Sequence, residues 1–215
     1  MKCVKIKGQK EFEISEIEKP TSKNGSVIFK VNACGICGSD IHYWVSGSPV
    51  GLVMGHEFAG TVIDPGARTD LKVGDRVTGL PISPCGKCHP CKTGNVQYCL
   101  NTWNEAVGLS LTNPGGYAEF SSCRSDMIKK IPNGVSNEEA CMVEPSAVSL
   151  HAVNLASIKI GEKVLIIGGG IIGLMAAEFA KLNGASYVAL LETNPKRGKK
   201  SIKYGKVDEY YNALE

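Results

Sequence analysis

The sequence lacks several features that would assign the chain to whole classes of protein. The longest apolar run, Val164 to Ile167 and on past the glycines, is too short and too often broken by glycine to cross a bilayer. The N-terminal segment alternates charged and apolar residues and has no apolar core of a signal peptide, so we expect neither secretion nor a membrane partner. Charge is nearly balanced, with 24 basic and 21 acidic residues, and the absence of a basic stripe argues against a nucleic-acid partner.

Cysteine, by contrast, is abundant, with nine residues in a chain of 215. So many thiols without a secretory signal indicate a reducing compartment, in which thiols ligate metals rather than form disulfides, and we expect a cytoplasmic protein. A composition of 43% hydrophobic and 21% charged residues is typical of a packed globular chain and not of a disordered one.

Four of the cysteines lie in one short segment, CGKCHPCKTGNVQYC, and three of them recur at every third residue. Helix or strand periodicity does not explain this spacing, because glycine and proline interrupt it. Four thiolates so placed can enclose one soft cation tetrahedrally, as a structural zinc ion requires. The segment therefore predicts a structural zinc site, with a disulfide pair or incidental thiols as the alternative; its ligands would be Cys85, Cys88, Cys91 and Cys99.

The pattern of the chain changes near residues 155–160. Before this point short strands and turns predominate, which predicts a β-rich domain over residues 1–156, and Pro145 is expected to interrupt the helices near its end. After it, a wholly apolar strand at 163–167 precedes a glycine-rich turn, an apolar helix and a second strand, as in a parallel α/β sheet. Such a sheet normally has about six strands, so residues 157–215 are expected to form an incomplete domain.

The glycine-rich turn, GGGIIG, matches the fingerprint of a dinucleotide-binding domain in its expected strand–turn–helix context. Gly168 would permit the tight turn, Gly170 would let the backbone approach a pyrophosphate, and Gly173 would let the helix pack closely on the strand. Glu192, at the end of the next strand, can accept hydrogen bonds from a ribose and would repel a 2′-phosphate. NAD is therefore favoured over NADP, although the basic residues that follow, Arg197 among them, could partly offset the repulsion. A glycine-rich turn in another α/β protein is the alternative.

A second group of potential metal ligands lies upstream, in the segments CGICGSDIHYW and GHEF. Cys37, His56 and an acid, either Glu57 or Glu144, could hold a catalytic zinc ion and leave one coordination position open. The two cysteines of CGIC could instead form a redox pair, but that motif needs a following helix in a βαβ unit, which the surroundings do not predict. The residues alone do not decide which of these side chains converge.

Four blocks in this order resemble the zinc-dependent, medium-chain alcohol and polyol dehydrogenase family: CGICGSDIHYW, GHEFAG, the four-cysteine segment and GGGIIG. The HYW after GSD and the acid in EPSAVSLHA are similar to the sorbitol (polyol) dehydrogenase branch. The resemblance implies a mixed fold, with a GroES-like β-rich catalytic domain followed by a Rossmann domain. It also implies one catalytic and one structural zinc ion, and the NAD-linked, reversible oxidation of a secondary alcohol or polyol to a ketone or ketose.

The resemblance further implies roles for individual residues. Cys37 and His56 fall on the ligands of the catalytic zinc, Glu57 matches a ligand of polyol enzymes, and Glu144 would lie close to the metal or bind it through water. The same resemblance leaves open whether Glu57 or Glu144 binds the metal directly.

Two residues of the first block are implied to handle protons. Ser39 matches the family's serine or threonine that takes the substrate hydroxyl proton, and His42 matches a position that completes a relay to solvent in some members. A surface or packing histidine is the alternative interpretation of His42.

By the same resemblance, family members are longer chains that form homo-oligomers. We therefore expect this chain to be truncated and inactive alone, with apolar faces of its first parallel strands exposed. Threonine, butanediol and other alcohol dehydrogenases of the family share these motifs and remain alternatives to a polyol enzyme. A zinc-stabilised binding module without activity is the alternative from a different class.

Overall fold

The computed structural model describes all 215 residues, which divide into two compact units, Met1–Glu144 and Pro145–Glu215. The first unit is rich in antiparallel β-structure and the second alternates helices with parallel strands. The mixed fold class predicted from the sequence is thus confirmed. None of the helices combines the length and the apolar composition that crossing a membrane requires.

The first unit is built around five antiparallel strands: β3 (Val27–Cys34), β4 (Phe58–Asp64), β5 (Arg76–Gly79), β6 (Phe120–Cys123) and β7 (Ile128–Lys130). Their order in the sheet is β6-β3-β4-β5-β7. Consecutive residues are buried in the central strands, Val27, Ile28 and Phe29 in β3 and Phe58 and Ala59 in β4. Because successive side chains of a strand point to opposite faces, both faces of the sheet are covered there. At its centre the rings of Phe29 and Phe58 stack with centroids 4.9 Å apart.

A hairpin and three short helices complete the first unit. The hairpin pairs β1 (Lys2–Gly8) with β2 (Glu11–Glu16), so the N-terminal segment forms two strands. Helices α1 (Gly38–Ser46) and α2 (His89–Lys92) each begin directly after a cysteine. Helix α3 (Asn137–Ala140) begins with a reciprocal capping box between the side chains of Ser136 and Glu139.

The second unit contains a three-stranded parallel sheet with the order β10-β9-β8. Its elements are α4 (Val143–Ala156), β8 (Lys163–Ile167), α5 (Ile171–Leu182), β9 (Tyr187–Glu192), α6 (Pro195–Tyr204) and β10 (Glu209–Asn212). Strand β8 lies at the edge of this sheet, and its side chains Leu165 and Ile167 are 59% and 77% exposed. The apolar exposure expected for the first parallel strand is therefore present.

Helix α4 and the boundary between the two units both differ from the expectation. Pro145 lies in its first turn instead of interrupting it, because a backbone N–H at that position has no partner within the helix and its loss is tolerated. The division between the units falls after Glu144 rather than after residue 156. The helix packs within the second unit, where the buried Ser149 hydroxyl donates to the Ile172 carbonyl at 3.0 Å.

Candidate functional site

The four cysteines between residues 85 and 99 converge. Their Sγ atoms all lie within 4.8 Å of one another. Positive φ angles at Gly86 (69°) and Gly94 (82°) turn the chain on either side of α2, so that a short loop brings every thiol inward. We call this segment, residues 85–101, the four-cysteine lobe.

Backbone and side-chain N–H groups surround the sulfur atoms of the lobe. The Cys85 Sγ accepts from the Lys87 and Cys88 backbone N–H groups at 3.5 and 3.4 Å, and from the Asn101 Nδ2 at 3.6 Å. These donors lower the pKa of Cys85 to about 5, because they stabilise its thiolate. A set of four convergent sulfurs with thiolate-stabilising donors fits a tetrahedral zinc ion.

A second group, Cys37, His56 and Glu57, also converges, with ligand atoms within 4.8 Å of one another. We call it the three-residue centre. Cys37 follows β3 and the other two residues precede β4, and the two strands pair Cys34 with Phe58 at this end. The sheet register therefore brings both loops to one place.

The loops of the three-residue centre are tightly fixed. The Gly35 N–H donates to the Glu57 carbonyl at 2.7 Å. Gly55 has a φ of 98°, and a Cβ there would lie 2.8 Å from the Cys34 Sγ and the Tyr117 ring, so only glycine fits. His56 is 5% exposed, which places the centre in the protein interior.

Asp40, on α1, lies beside His56 of this centre. Its carboxylate is buried, and its Oδ1 lies 3.6 Å from the His56 Nδ1; neither atom has a hydrogen-bond partner. An imidazole that turns Nδ1 towards a carboxylate offers Nε2 on its opposite side, which is the usual arrangement of a metal-bound histidine. Burial lowers the pKa of His56, and the charge of Asp40 partly opposes this effect. The two unpartnered atoms and the donor set S, N, O together fit a zinc ion.

Glu57, and not Glu144, belongs to the three-residue centre. The Glu144 carboxylate is not among the ligand atoms that lie within 4.8 Å of one another. Glu144 is near enough to be affected: burial, followed by the charges of Glu57 and Asp40, raises its pKa to about 7. Burial also raises the pKa of Glu57. Several buried carboxyl groups without a cation are unfavourable, and a divalent ion would relieve this.

Ser39 and His42 are both on α1, next to the three-residue centre in sequence. Ser39 is half-buried in the first turn, whereas His42 is exposed. Neither side chain makes a hydrogen bond within the protein, so the structure assigns neither of them a proton partner.

The glycine-rich turn has the geometry that its sequence suggested. Gly168 has a φ of 102°, and a Cβ on Gly173 would strike the Gly168 carbonyl oxygen. A Cβ on Gly170 would meet nothing within 4 Å. Gly170 also precedes α5 and has no side chain to occupy the first free N–H groups of that helix. Open space before uncapped N–H groups fits the pyrophosphate of a dinucleotide.

Glu192 lies against this turn. Its carboxylate is 4% exposed and accepts from the Gly169 and Asn194 backbone N–H groups, both at 2.7 Å. Arg197 Nη2 approaches the same carboxylate at 3.2 Å. Backbone donors lower the pKa of Glu192, so it is ionised, and its Oε2 still has a free lone pair for a hydroxyl donor.

Sequence reasoning missed Tyr117, which adjoins the three-residue centre through Asp40. Its hydroxyl donates to the Asp40 Oδ2 at 2.9 Å across a separation of 77 residues. No spacing rule connects two residues so far apart. The preceding glycine pair is the one available signal, since a Cβ on Gly116 would lie 2.6 Å from the Cys34 Sγ, and glycine there permits a close approach to the centre.

Comparisons with known proteins identify the family of this chain. The alcohol dehydrogenase GroES-like domain matches residues 23–133. The chain is 34% identical over 215 residues to the sorbitol dehydrogenase of Bacillus subtilis, covering 95% of this chain and 59% of that protein. It is 35% identical over 223 residues to the (R,R)-butanediol dehydrogenase of the same organism, covering 96% of this chain and 62% of that protein.

A solved structure is similarly close. A protein from Sinorhizobium meliloti 1021, described as a zinc-binding dehydrogenase and solved with bound NADP, superimposes with a TM-score of 0.89 at 32% identity. The match covers 99% of this chain and 62% of that one. The chain thus spans about three-fifths of the length of the relatives it matches.

Proposed function

Since this chain belongs to the zinc-type, medium-chain dehydrogenases that carry the alcohol dehydrogenase GroES-like domain, we propose that the whole protein catalyses the reversible, NAD-linked oxidation of a secondary alcohol or polyol, similar to sorbitol, to a ketone or ketose. The observation that carries the proposal is the convergence of Cys37, His56 and Glu57 beside the buried Asp40. A bound zinc ion would supply Lewis acidity towards the substrate hydroxyl, and NAD would supply the hydride acceptor.

In this proposal Cys37, His56 and Glu57 hold the catalytic zinc ion, and Asp40 orients His56 from its opposite side. Ser39, in the first turn of α1, relays a proton: its oxygen accepts the hydroxyl proton of the substrate while its own hydroxyl proton is released. The exposed His42 accepts the released proton on one ring nitrogen and returns a proton to solvent. The four-cysteine lobe holds a second zinc ion with a structural role. Glu144 contributes negative charge near the centre rather than a direct bond.

The cofactor is proposed to lie on the glycine-rich turn, with its pyrophosphate in the open space at Gly170 and its adenosine ribose at Glu192. The ionised Glu192 would repel a 2′-phosphate, which favours NAD over NADP. Arg197 is already engaged with Glu192 and therefore offsets this repulsion only in part. Because a similar protein was solved with NADP, the preference is tested directly by titrating both cofactors into the protein.

Residues 1–215 alone are proposed to be inactive, because their parallel sheet has three of the roughly six strands that a complete dinucleotide-binding sheet has. The whole protein is proposed to be a homo-oligomer. Measurable reduction of NAD by the 215-residue protein would contradict the inactivity.

The first experiment is elemental analysis of zinc after extensive dialysis. We expect about two zinc ions per chain, and about one in His56→Ala, which removes a ligand of the three-residue centre while the four-cysteine lobe remains as an internal control. One zinc ion in the unaltered protein would mean that the three-residue centre does not bind metal, and a zinc-stabilised binding module would become the better description.

Substrate class is tested on the cobalt-loaded protein, whose visible spectrum reports the surroundings of the metal. We expect sorbitol to perturb the cobalt bands of the three-residue centre more strongly than butanediol or threonine. A larger spectral response to butanediol or threonine would favour a butanediol or threonine dehydrogenase instead of a polyol enzyme. No response to any of the three would contradict an alcohol-binding centre.

A further inference from the structure

The hydroxyl of Tyr117 is the one side-chain hydroxyl that hydrogen-bonds to the buried carboxylate of Asp40, which faces His56 of the three-residue centre. Tyr117 precedes β6, and its hydroxyl lies 2.9 Å from the Asp40 Oδ2 and 3.3 Å from the Gly35 carbonyl oxygen. Both oxygen atoms can only accept, and the tyrosine has one hydroxyl hydrogen. The shorter distance and the charge of the carboxylate favour Asp40 as the main acceptor.

Asp40 uses its two oxygen atoms for different purposes. Oδ2 accepts from the Tyr117 hydroxyl and from the Cys37 backbone N–H, each at 2.9 Å. Oδ1 has no partner and faces the His56 Nδ1. Two donors on one oxygen fix the rotation of the carboxylate, and this fixed rotation is what aims the other oxygen at the imidazole.

We propose that Tyr117 is a positioning residue for the three-residue centre, acting through Asp40 to hold His56 in the orientation that binds metal. The inference rests on the proposed function only in that the centre must bind a metal ion. Hydrogen bonds to an ionised acceptor are stronger than neutral ones, and loss of an outer partner of a metal-bound histidine weakens metal binding.

The hydroxyl can be separated from the packing of its ring. The Tyr117 ring packs against the buried cluster of Ile6, Leu52 and Met54, and the Tyr43 ring packs against the same cluster. Phenylalanine at either position keeps the ring and removes the hydroxyl. The Tyr43 hydroxyl makes no hydrogen bond to Asp40, so Tyr43→Phe is a matched control for Tyr117→Phe.

The test is a competition titration of cobalt(II) against a chelator, followed in the visible spectrum, with the 215-residue protein. Tyr117→Phe is expected to weaken cobalt binding at the three-residue centre by about 10-fold, the lower end of the range for outer-shell partners. It should also alter the cobalt spectrum of that centre. The spectrum of the four-cysteine lobe should not change, which shows that the effect is specific to the three-residue centre. An unchanged urea unfolding midpoint shows that the variant is folded, and Tyr43→Phe should leave both sites unchanged.

A double-mutant cycle with Asp40→Asn distinguishes positioning from a general structural effect. If Tyr117 acts through Asp40, Tyr117→Phe should weaken cobalt binding much less in the Asp40→Asn background than in the unaltered protein. Equal cobalt affinity and spectrum in Tyr117→Phe and the unaltered protein would overturn the inference, as would fully additive effects in the cycle. If the unaltered protein binds cobalt at the lobe alone, the proposed catalytic centre itself fails, and the two failures are therefore distinguishable.

Discussion

The two candidate metal centres of this chain are built in opposite ways. The four-cysteine lobe takes all its ligands from one segment, in which the Cys85 N–H even donates to the Cys99 Sγ across 14 residues. The three-residue centre takes ligands from two loops, and its supporting contact from Tyr117 to Asp40 spans 77 residues. A local site is encoded in residue spacing, whereas a non-local site depends on the register of the sheet that brings its loops together.

The two centres also differ in what stabilises them without a metal. The three-residue centre adjoins buried clusters that include Phe58 and Met54. None of these clusters includes a residue of the four-cysteine lobe, in which three of the four cysteines are only half-buried. The zinc ion proposed for the lobe would therefore stabilise it in place of an apolar core, as in small zinc-bound segments.

The largest expected effect is the loss of the lobe metal in Cys91→Ser. A complete thiolate set binds zinc with about 10–16 kcal/mol in zinc-finger peptides, and removal of one ligand should leave no lobe zinc after dialysis. Zinc per chain should fall from two to one, and limited proteolysis should cleave the lobe while the sheet remains resistant. His89→Ala, which changes an exposed residue of the lobe outside the ligand group, is the control and should keep both ions. Loss of both ions in Cys91→Ser would show that the two centres are not independent.

Asp40→Asn is expected to affect the three-residue centre selectively. The substitution keeps the size of the side chain and removes the charge that faces His56, so metal affinity there should fall by about 10- to 100-fold. Chelator competition measures this change for each centre separately. An equal loss at the four-cysteine lobe would contradict the separation of the two sites.

Thr78→Val tests whether the three-residue centre depends on the sheet. The buried Thr78 hydroxyl lies 2.8 Å from the Phe58 carbonyl oxygen and 3.1 Å from the Ala140 carbonyl oxygen. Removing this donor should lower the free energy of unfolding by about 1–3 kcal/mol and weaken metal binding at the centre, but not at the lobe. Urea unfolding and cobalt titration measure the two effects.

Thr61→Val is the matched control for this prediction. The Thr61 hydroxyl donates to the Asn32 side chain in an exposed hydrogen bond, and surface substitutions usually change stability by no more than about 0.5 kcal/mol. A loss in Thr61→Val as large as that in Thr78→Val would show that burial of the hydroxyl is not the cause.

The smallest expected effect is that of Asn101→Ala in the four-cysteine lobe. The variant removes one N–H donor from the Cys85 Sγ and keeps the two backbone donors, so the thiolate is less stabilised and zinc affinity should fall a few-fold. Chelator competition measures it. Asn95→Ala is the control, since the Asn95 amide bonds only to Thr93, and an equal loss in both variants would contradict the role of the donor.

The sequence predicted the local features well. Spacing alone identified the four cysteines that converge, and the order strand–glycine turn–helix predicted β8, α5 and β9 because neighbours in sequence build them. The expected helix interruption at Pro145 was wrong, because proline disrupts the interior of a helix but is tolerated in its first turn, where Pro145 lies.

The non-local features could not be predicted in the same way. The choice between Glu57 and Glu144 depends on the pairing of β3 with β4, which places Glu57 beside Cys37. No local sequence pattern determines the register of this strand pair. The contact of Tyr117 with Asp40 spans 77 residues, so neither helix nor strand periodicity predicts it. Gly55 and Gly116 permit the backbone to approach Cys34 closely. Glycine occurs in proteins for many other reasons, however, so its position in the sequence does not identify the residue that it contacts.

The compact segment of the four-cysteine lobe has a consequence for the order of events during synthesis. All its ligands leave the ribosome almost together, so the lobe can bind a metal ion before the residues that follow it have emerged. The three-residue centre forms completely only after Tyr117 has emerged and β3 has paired with β4. Such non-local pairing is slower than the closure of a short loop. In the proposed protein with two zinc ions, the ions would therefore enter the chain at different times, and a shortage of metal during growth would leave the earlier site filled and the later one empty.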